Sequence, residues 1–516
     1  MASAPCSKEP TDIPAVNRLF VQFLRFAPFC AMRDSSPPAK SLFTPGENCH
    51  SVADFSRFAL LIDGAAYFTA LETALANAQR RIVILGWDFN SLIKLRPQDG
   101  DESPSLGDYL RALADTKPEL EIYVLVWRNS IFYGANVDIP LSLTPRWCDH
   151  PRIYFKLDDA HPWGACHHQK IVCIDDALAF TGGIDLTEGR WDTSEHQPEH
   201  PLRVKDSGEA YRPVHDVQAM VDGAAAQVIA AIAADRWRIA GGEPWAPLSP
   251  IEAPWPEHIA PHLTDHAAAV ARTLPAYEAQ ADVAEIRSLN QALLLAAERS
   301  IYIESQYFAL PEIAEVLAWH LGRHDGPEVV LVVNVESNGM IEQYVMANNR
   351  DRMFALLRHA DKYNRLRTYH PISCTEPECQ IKTHSKLLIV DDRYLRVGSS
   401  NFNARSLGLD TECDVALEGS SDEARKSIAR MQAMLLGEHL GVAPAKFAVA
   451  LSRSGSLIDA IETFNQGEGQ KGRRLNAYPE LPPETEMSLA PGSSLLDPDR
   501  PIDLGYLWEK LTSPSP

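Results

Sequence analysis

One pattern of residues occurs twice in this 516-residue chain, and that constrains the fold more than any other feature. The first copy is His168-Gln-Lys170-Ile-Val-Cys-Ile-Asp175, followed by Gly182, Gly183 and Asp185. The second is His384-Ser-Lys386-Leu-Leu-Ile-Val-Asp391, followed by Gly398, Ser399 and Asn401. Counted from each histidine, the Lys, the Asp, the Gly and the final Asp or Asn fall at the same positions. A chain that repeats itself at this spacing folds as two related units.

The repeat reaches beyond the motif. Apolar runs Arg81–Trp87 and Glu121–Trp127 precede the first copy; Ser300–Glu304 and Glu328–Val333 precede the second. A helical pattern leads into each series, Tyr67–Gln79 in one half and Ile286–Glu298 in the other. Downstream, Val214-His-Asp216-Val-Gln-Ala-Met corresponds to Thr411-Glu412-Cys-Asp-Val-Ala-Leu. Continuously apolar strands alternating with helices read as an α/β protein with sheets covered on both faces. The expectation is two homologous lobes, each a mixed β-sheet flanked by helices, related by a pseudo-twofold axis with one active site between them. The lobes are placed at 42–245 and 275–440. An N-terminal extension (1–41), a Pro- and Trp-rich linker (246–274) and a C-terminal tail (441–516) account for the rest.

Alternation along a strand puts His168 and Lys170 on one face, and His384 and Lys386 likewise. Asp175 and Asp391 have the wrong parity and lie roughly 16–17 Å further along the strand. They read as turn or ion-pair residues. A lone histidine at a strand end is ordinarily a hydrogen-bonded core residue, but here a His–Lys pair recurs in equivalent context. Brought together, two imidazoles and two ammoniums call for an anionic ligand, most simply a phosphate. One imidazole attacks phosphorus and the other protonates the leaving oxygen, with the lysines stabilising the equatorial oxygens. No metal or cofactor is required. Asp216 and Glu412 are the candidates to orient the histidines, with Asp216 expected to support His168. Ser399 and Asn401 are expected to donate to phosphate. Gly182, Gly183 and Asp185 complete the supporting motif.

The doubled His-x-Lys-x4-Asp signature resembles that of the phospholipase D superfamily. The segments Gly182–Leu186, Gly189-Arg-Trp-Asp192, Ile301–Phe308 and Gly398–Ser406 are similar to those of phosphatidylcholine-type phospholipases D, over about Phe43–Leu440. Ser305 stands where Asn is usual, and Ala404 where an acid is common. The resemblance implies a phosphodiesterase working through a covalent phosphohistidine, with His168 as nucleophile and His384 as acid, then base. It implies hydrolysis of a phospholipid to phosphatidic acid and alcohol, and exchange with added alcohols. A cardiolipin synthase-like transferase is the alternative, followed by a nuclease or an inactive lipid-binding scaffold. The stretch before Phe43 is too short for the lipid-binding domains of the larger eukaryotic enzymes.

Composition narrows these. With 48 Lys+Arg against 69 Asp+Glu the net charge is −21, which counts against gripping nucleic acid through bulk electrostatics. The partner expected is a phospholipid at a membrane surface, with no obligate protein partner. Nine cysteines without a framework read as free thiols. Cys374 and Cys379 are the one close pair, leaving a disulfide or half a metal site open. The apolar stretch Leu19–Met32 contains Arg25 and Pro28 and makes a poor signal peptide. A start at Met32 is the other reading of it. The expected location is cytoplasmic or peripheral to a membrane, with secretion as the alternative.

Overall fold

In the first half, β1 (Ser51–Ile62) leads into the helix Asp63–Asn77, then β2 (Arg81–Gly86), β3 (Glu121–Trp127) and β4 (Ile153–Asp158). There follow β5 (Ile171–Ile174), β6 (Leu178–Gly182), β7 (Val214–His215), β8 (Val217–Asp222) and the helix Gly223–Ile239. In the second half come β9 (Leu263–Leu274), β10 (Val283–Ala284), the helix Glu285–Leu295, β11 (Ser300–Ser305), β12 (Glu328–Val333) and β13 (Leu366–Thr375). Then come β14 (Glu378–Gln380), β15 (Lys382–Thr383), β16 (Lys386–Val390), β17 (Tyr394–Gly398), β18 (Glu412–Glu418), the helix Asp422–His439 and β19 (Arg474–Ala477). This computed structural model describes residues 41–128, 146–249, 251–335, 346–375, 377–466, 472–479 and 497–501.

The pairings run in one series. β4, β3 and β2 are parallel neighbours; β2 then meets β5 antiparallel, and β6, β8 and β1 follow. The second half repeats the order, with β13, β12 and β11 parallel, then β16, β17, β18 and β9 antiparallel. An antiparallel pairing of β1 with β9 joins the two series. The registers agree in detail. Gly182 faces Gln218 and Gly398 faces Asp414, so Asp216 and Glu412, two residues earlier, hold matching places.

Strand residues alternate between two cores, as a pleat buried on both faces requires. Ile82, Ile84, Val124 and Val126 face the helix Asp63–Asn77. Val329, Leu331, Leu388 and Val390 face the helix Glu285–Leu295. Val83, Leu85 and Ile171 share a third core with Val330, Val332, Leu387 and Ile389. The helices Gly223–Ile239 and Asp422–His439 pack into it from both halves. Each such Val, Ile or Leu contributes about 1.5–3 kcal/mol relative to exposure. The shared core binds the halves together, and Leu42–Pro516 forms one unit.

Asp175 and Asp391 are the turn residues their parity demands. Each sits at positive φ, 54° and 57°, a region Asp tolerates better than most residues. The Asp175 carboxylate accepts the backbone N–H groups of Gln79, Arg80 and Arg81, each at 2.7 Å. Asp391 does the same for Glu298, Arg299 and Ser300. These aspartates therefore staple the end of the motif hairpin to the start of β2 and of β11.

Two expectations are corrected. The linker placed at 246–274 ends before Leu263, because β9 is a twelve-residue strand paired with both β1 and β18. The tail placed at 441–516 contains the helices Pro444–Ser454 and Leu457–Asn465, and β19 adds to the edge of β13. Further along, Asp497 accepts the backbone N–H groups of Ala404 and Arg405. The stretch Trp191–Tyr211 is irregular, and Asp192, His196 and Arg203 within it are buried. The stretch from Trp127 to Pro145 lies outside the described residues beyond Arg128, as does the apolar stretch Leu19–Met32.

Cys374 stands directly opposite Cys379 across the β13–β14 pair, and both are free thiols, as are the other five described cysteines. Among the described residues no single helix is long and apolar enough to cross a membrane.

Candidate active site

The two motif histidines are held by one construction used twice. His384 follows β15, which runs parallel to β7, and its backbone N–H donates to the carbonyl of His215 at 2.8 Å. The next residue after His215 is Asp216, whose Oδ2 lies 2.7 Å from Nδ1 of His384. In the other copy, His167 bridges Thr411 in parallel and the N–H of His168 donates to the Thr411 carbonyl at 3.1 Å. The next residue after Thr411 is Glu412, whose two oxygens lie 2.9 and 3.0 Å from Nδ1 of His168. The expectation that Asp216 supports His168 is therefore corrected. Each acid orients the histidine of the opposite motif, because the chain entering each motif pairs with the strand that leads to the other acid.

Both acids are fully buried, while the His168 side chain keeps 16% of its surface exposed and that of His384 6%. With Nδ1–H donated to a carboxylate, Nε2 carries the lone pair. Among the described residues Nε2 of either ring meets no hydrogen-bond partner. Gly183 makes room for one of these contacts, since a Cβ there would sit 2.0 Å from Oδ1 of Asp216.

The lysines are buried beside the histidines. Lys170 Nζ is 3.1 Å from Asp185 Oδ2 and donates to the His168 carbonyl at 3.2 Å. Lys386 Nζ donates to Gln306 Oε1 at 3.1 Å and to the carbonyl of His384. Asp185 also accepts the N–H of Trp87 at 2.9 Å, so it fixes the lysine to the end of β2. The clustered cations shape the titration of the site. Burial, then Lys170 and Lys386, hold the His168 imidazole well below its ordinary pKa. Burial, then Lys386 and Arg190, do the same for His384. Burial pushes Glu412 up, against hydrogen bonds from Ser399 and Ser406 and the charge of Lys170. The Asp216 carboxyl is also raised by burial, against Lys386. Lys386 itself is lowered by burial, against Asp216. An anion placed among these cations would raise the affinity of the imidazoles for protons.

Ser399 does not serve as a phosphate donor. Its hydroxyl donates to Glu412 Oε2 at 2.5 Å and accepts the N–H of Cys413, so it supports the acid that holds His168. Asn401 stands where Asp185 stands in the first copy; it is buried, and its Oδ1 has no hydrogen-bond partner. Three residues here were not singled out from the sequence. Gln306 holds Lys386, Arg190 acts electrostatically on His384, and Arg405 acts on His168. All lie in the family-like segments Ile301–Phe308, Gly189–Asp192 and Gly398–Ser406, which was the available signal.

The chain matches the family model described as "Phospholipase D" over residues 74–358, and a second one, "Cardiolipin synthase, PLD-like domain", over 291–435. This protein belongs to the phospholipase D superfamily. It is 25% identical to phospholipase D A of Dictyostelium discoideum over 75% of this chain and 36% of that one. It is 24% identical to phospholipase D alpha 1 of Vigna unguiculata over 72% of this chain and 63% of that one. The chain thus spans from about a third to under two thirds of the length of these relatives. A phosphatidylserine synthase of Haemophilus influenzae Rd KW20 shares the fold, with a TM-score of 0.50 at 13% identity over 80% of this chain and 98% of that one.

Proposed function

We propose that the protein hydrolyses the distal phosphodiester of a glycerophospholipid, such as phosphatidylcholine, to phosphatidic acid and the head-group alcohol. The observation that carries this is the pair of carboxylate-anchored imidazoles, each with Nε2 unpartnered and each beside a buried lysine. In this reading Nε2 of His168 attacks phosphorus and forms a P–N bond. The P–O bond to the head group breaks, and the departing oxygen takes the proton on Nε2 of His384. That imidazole then removes a proton from water, whose oxygen attacks phosphorus and expels His168 with the P–N bond pair. Substituting an alcohol for water gives a new phosphodiester. Lys170 and Lys386 take the part that divalent ions play in other phosphodiesterases.

This reading treats 42–245 and the second half, which begins with β9 at Leu263 and runs to 440, as two copies of one unit. It puts the protein on a lipid surface, whether cytoplasmic or secreted, with no nucleic acid and no obligate protein partner. The match of 291–435 to a cardiolipin synthase model favours a second reading, transfer of the phosphatidyl group to phosphatidylglycerol. A lipid-panel assay that follows head-group release with and without an added primary alcohol tests both. Release of choline with formation of phosphatidic acid supports hydrolysis, and cardiolipin from phosphatidylglycerol alone would replace it by the transferase.

A further inference from the structure

Behind Asp216, four side chains from widely separated parts of the chain converge on one small volume. They are Asp63 at the start of the helix Asp63–Asn77, His196, His215 of β7, and Glu438 near the end of the helix Asp422–His439. One donor atom from each lies within 4.8 Å of all the others. Every one of these side chains is at most 6% exposed. We propose that this is a structural site for a divalent transition-metal ion, zinc in the first instance, bound by Asp63, His196, His215 and Glu438.

The hydrogen bonds around the two imidazoles argue for it. Nδ1 of His196 is 2.9 Å from Asp192 Oδ2, and Nε2 of His215 is 2.9 Å from Glu304 Oε2. In the neutral form of each ring, those carboxylates would take its one proton and turn the other nitrogen, as a lone pair, toward the centre. Glu304 is itself fixed by Tyr302 and His439, and Asp192 by Arg203. Outer carboxylates that set the tautomer of a ligating histidine are the usual support of a metal site. At the centre the lone-pair nitrogens face only carboxylate oxygens. Nε2 of His196 is 3.0 Å from Glu438 Oε1 and 3.5 Å from Asp63 Oδ2; Nδ1 of His215 is 2.8 Å from Glu438 Oε1 and 3.2 Å from Asp63 Oδ1.

Lone pairs set against carboxylates repel unless positive charge lies between them. A second proton on each ring supplies two charges, and one dication supplies the same two. Two observations favour the dication. Tetrahedral zinc with ligands at about 2.0–2.1 Å spaces them about 3.3 Å apart, within the span of the four distances here. In addition, Oδ2 of Asp63 is buried with no hydrogen-bond donor, a cost that a bound cation removes. The donor set, two imidazoles and two carboxylates, suits zinc and its neighbours rather than calcium or magnesium.

The site ties both halves together behind the reacting groups. The N–H of Asp63 donates to the carbonyl of Asp216, and the carbonyl of His215 accepts the N–H of His384. Nothing in this assignment depends on which phosphodiester is cut.

The test is elemental analysis of the full chain, purified without a metal-binding tag and dialysed. About one zinc per chain is expected. His196→Ala and Glu438→Gln should each lose it, while the double variant Cys374→Ser/Cys379→Ser, which removes a close thiol pair elsewhere in the chain, should keep it. Should the ligand variants fail to fold, wild-type protein stripped of metal and loaded with cobalt should show the visible absorption of four-coordinate cobalt bound by nitrogen and oxygen. A folded wild-type chain that carries no metal and takes up neither zinc nor cobalt would overturn the site. So would zinc that stays with His196→Ala or leaves with the cysteines.

Discussion

The carboxylate of Asp216 lies 2.7 Å from Nδ1 of His384, a residue 168 positions further along the chain, and not beside the histidine of its own half. Glu412 returns the exchange by holding His168 at 2.9 Å. The consequence is a definite assignment of which acid governs which step. Asp216 orients the imidazole proposed to protonate the leaving group, and Glu412 the one proposed to attack.

Asp216→Asn should therefore impair the protonation step. The expected loss is roughly 10²–10⁴-fold with choline as leaving group, and much smaller with nitrophenolate, which leaves with little protonation. Glu412→Gln should slow formation of the phosphoenzyme with both. Steady-state rates on the two substrates, beside burst kinetics, separate these outcomes, and equal sensitivity to leaving group in the two variants would break the assignment.

His168→Ala should lose hydrolysis and alcohol exchange together, since no P–N bond can form. His384→Ala should retain part of the first step with a nitrophenolate substrate and accumulate phosphoenzyme. The two groups act as a unit, so the double variant should be scarcely slower than His168→Ala. Acid quench with labelled substrate and peptide mapping reads this directly; label on His384 of the wild type would reverse the roles.

Burial and the neighbouring lysines hold both imidazoles below their ordinary pKa. A depressed value for a cationic acid means the neutral form persists as pH falls below about 6.5. A bound phosphate-like anion offsets the lysines and moves both values upward. Nitrogen-detected magnetic resonance of labelled histidine, with and without inorganic phosphate or vanadate, should show neutral rings in the free protein and a rise on binding.

Asp391→Ala should destabilise without touching the chemistry. It removes the acceptor for three backbone N–H groups and leaves Ala at a φ of 57°. The expected cost is about 2–4 kcal/mol, with turnover per folded molecule retained. Chemical denaturation and activity measured on the same sample check it, and Asp175→Ala should behave alike.

Gly183→Ala tests the close approach of backbone to acid. The added methyl meets Asp216, so turnover should fall by on the order of 10²-fold through His384 while the fold survives at a cost of about 1–3 kcal/mol. Unchanged activity would mean that Asp216 need not lie where it does.

Much of this was legible from residues close together in sequence. The motif pairs, the strands Arg81–Gly86 and Ser300–Ser305, and the turn role of Asp175 and Asp391 follow from periodicity and parity, which are local. The exchange of acids was not, because two matching copies give the same local pattern whether the contact is made within a half or across it. β9 escaped notice because its middle reads Ala-Ala-Ala, a poor strand signal, just beyond a Pro- and Trp-rich stretch. β19 is four residues long in a polar context and exists because β13 offers an edge. Ser399 reads as a phosphate ligand because it follows the second motif and its hydroxyl can donate; only the placement of Glu412 shows where its proton goes.

Because each histidine draws its acid from the other half, neither half is a working unit alone. Each would carry an imidazole with no carboxylate to fix its tautomer and a carboxylate with no imidazole to orient. Covalent linkage keeps the two contributions at one to one, and it also releases them from having to be identical. The chain uses that freedom: Asp216 with a bare Gly183 beside it orients one ring, and the longer Glu412 braced by Ser399 orients the other. Two identical halves would have to give both rings the same surroundings, whereas attack and protonation ask for different ones.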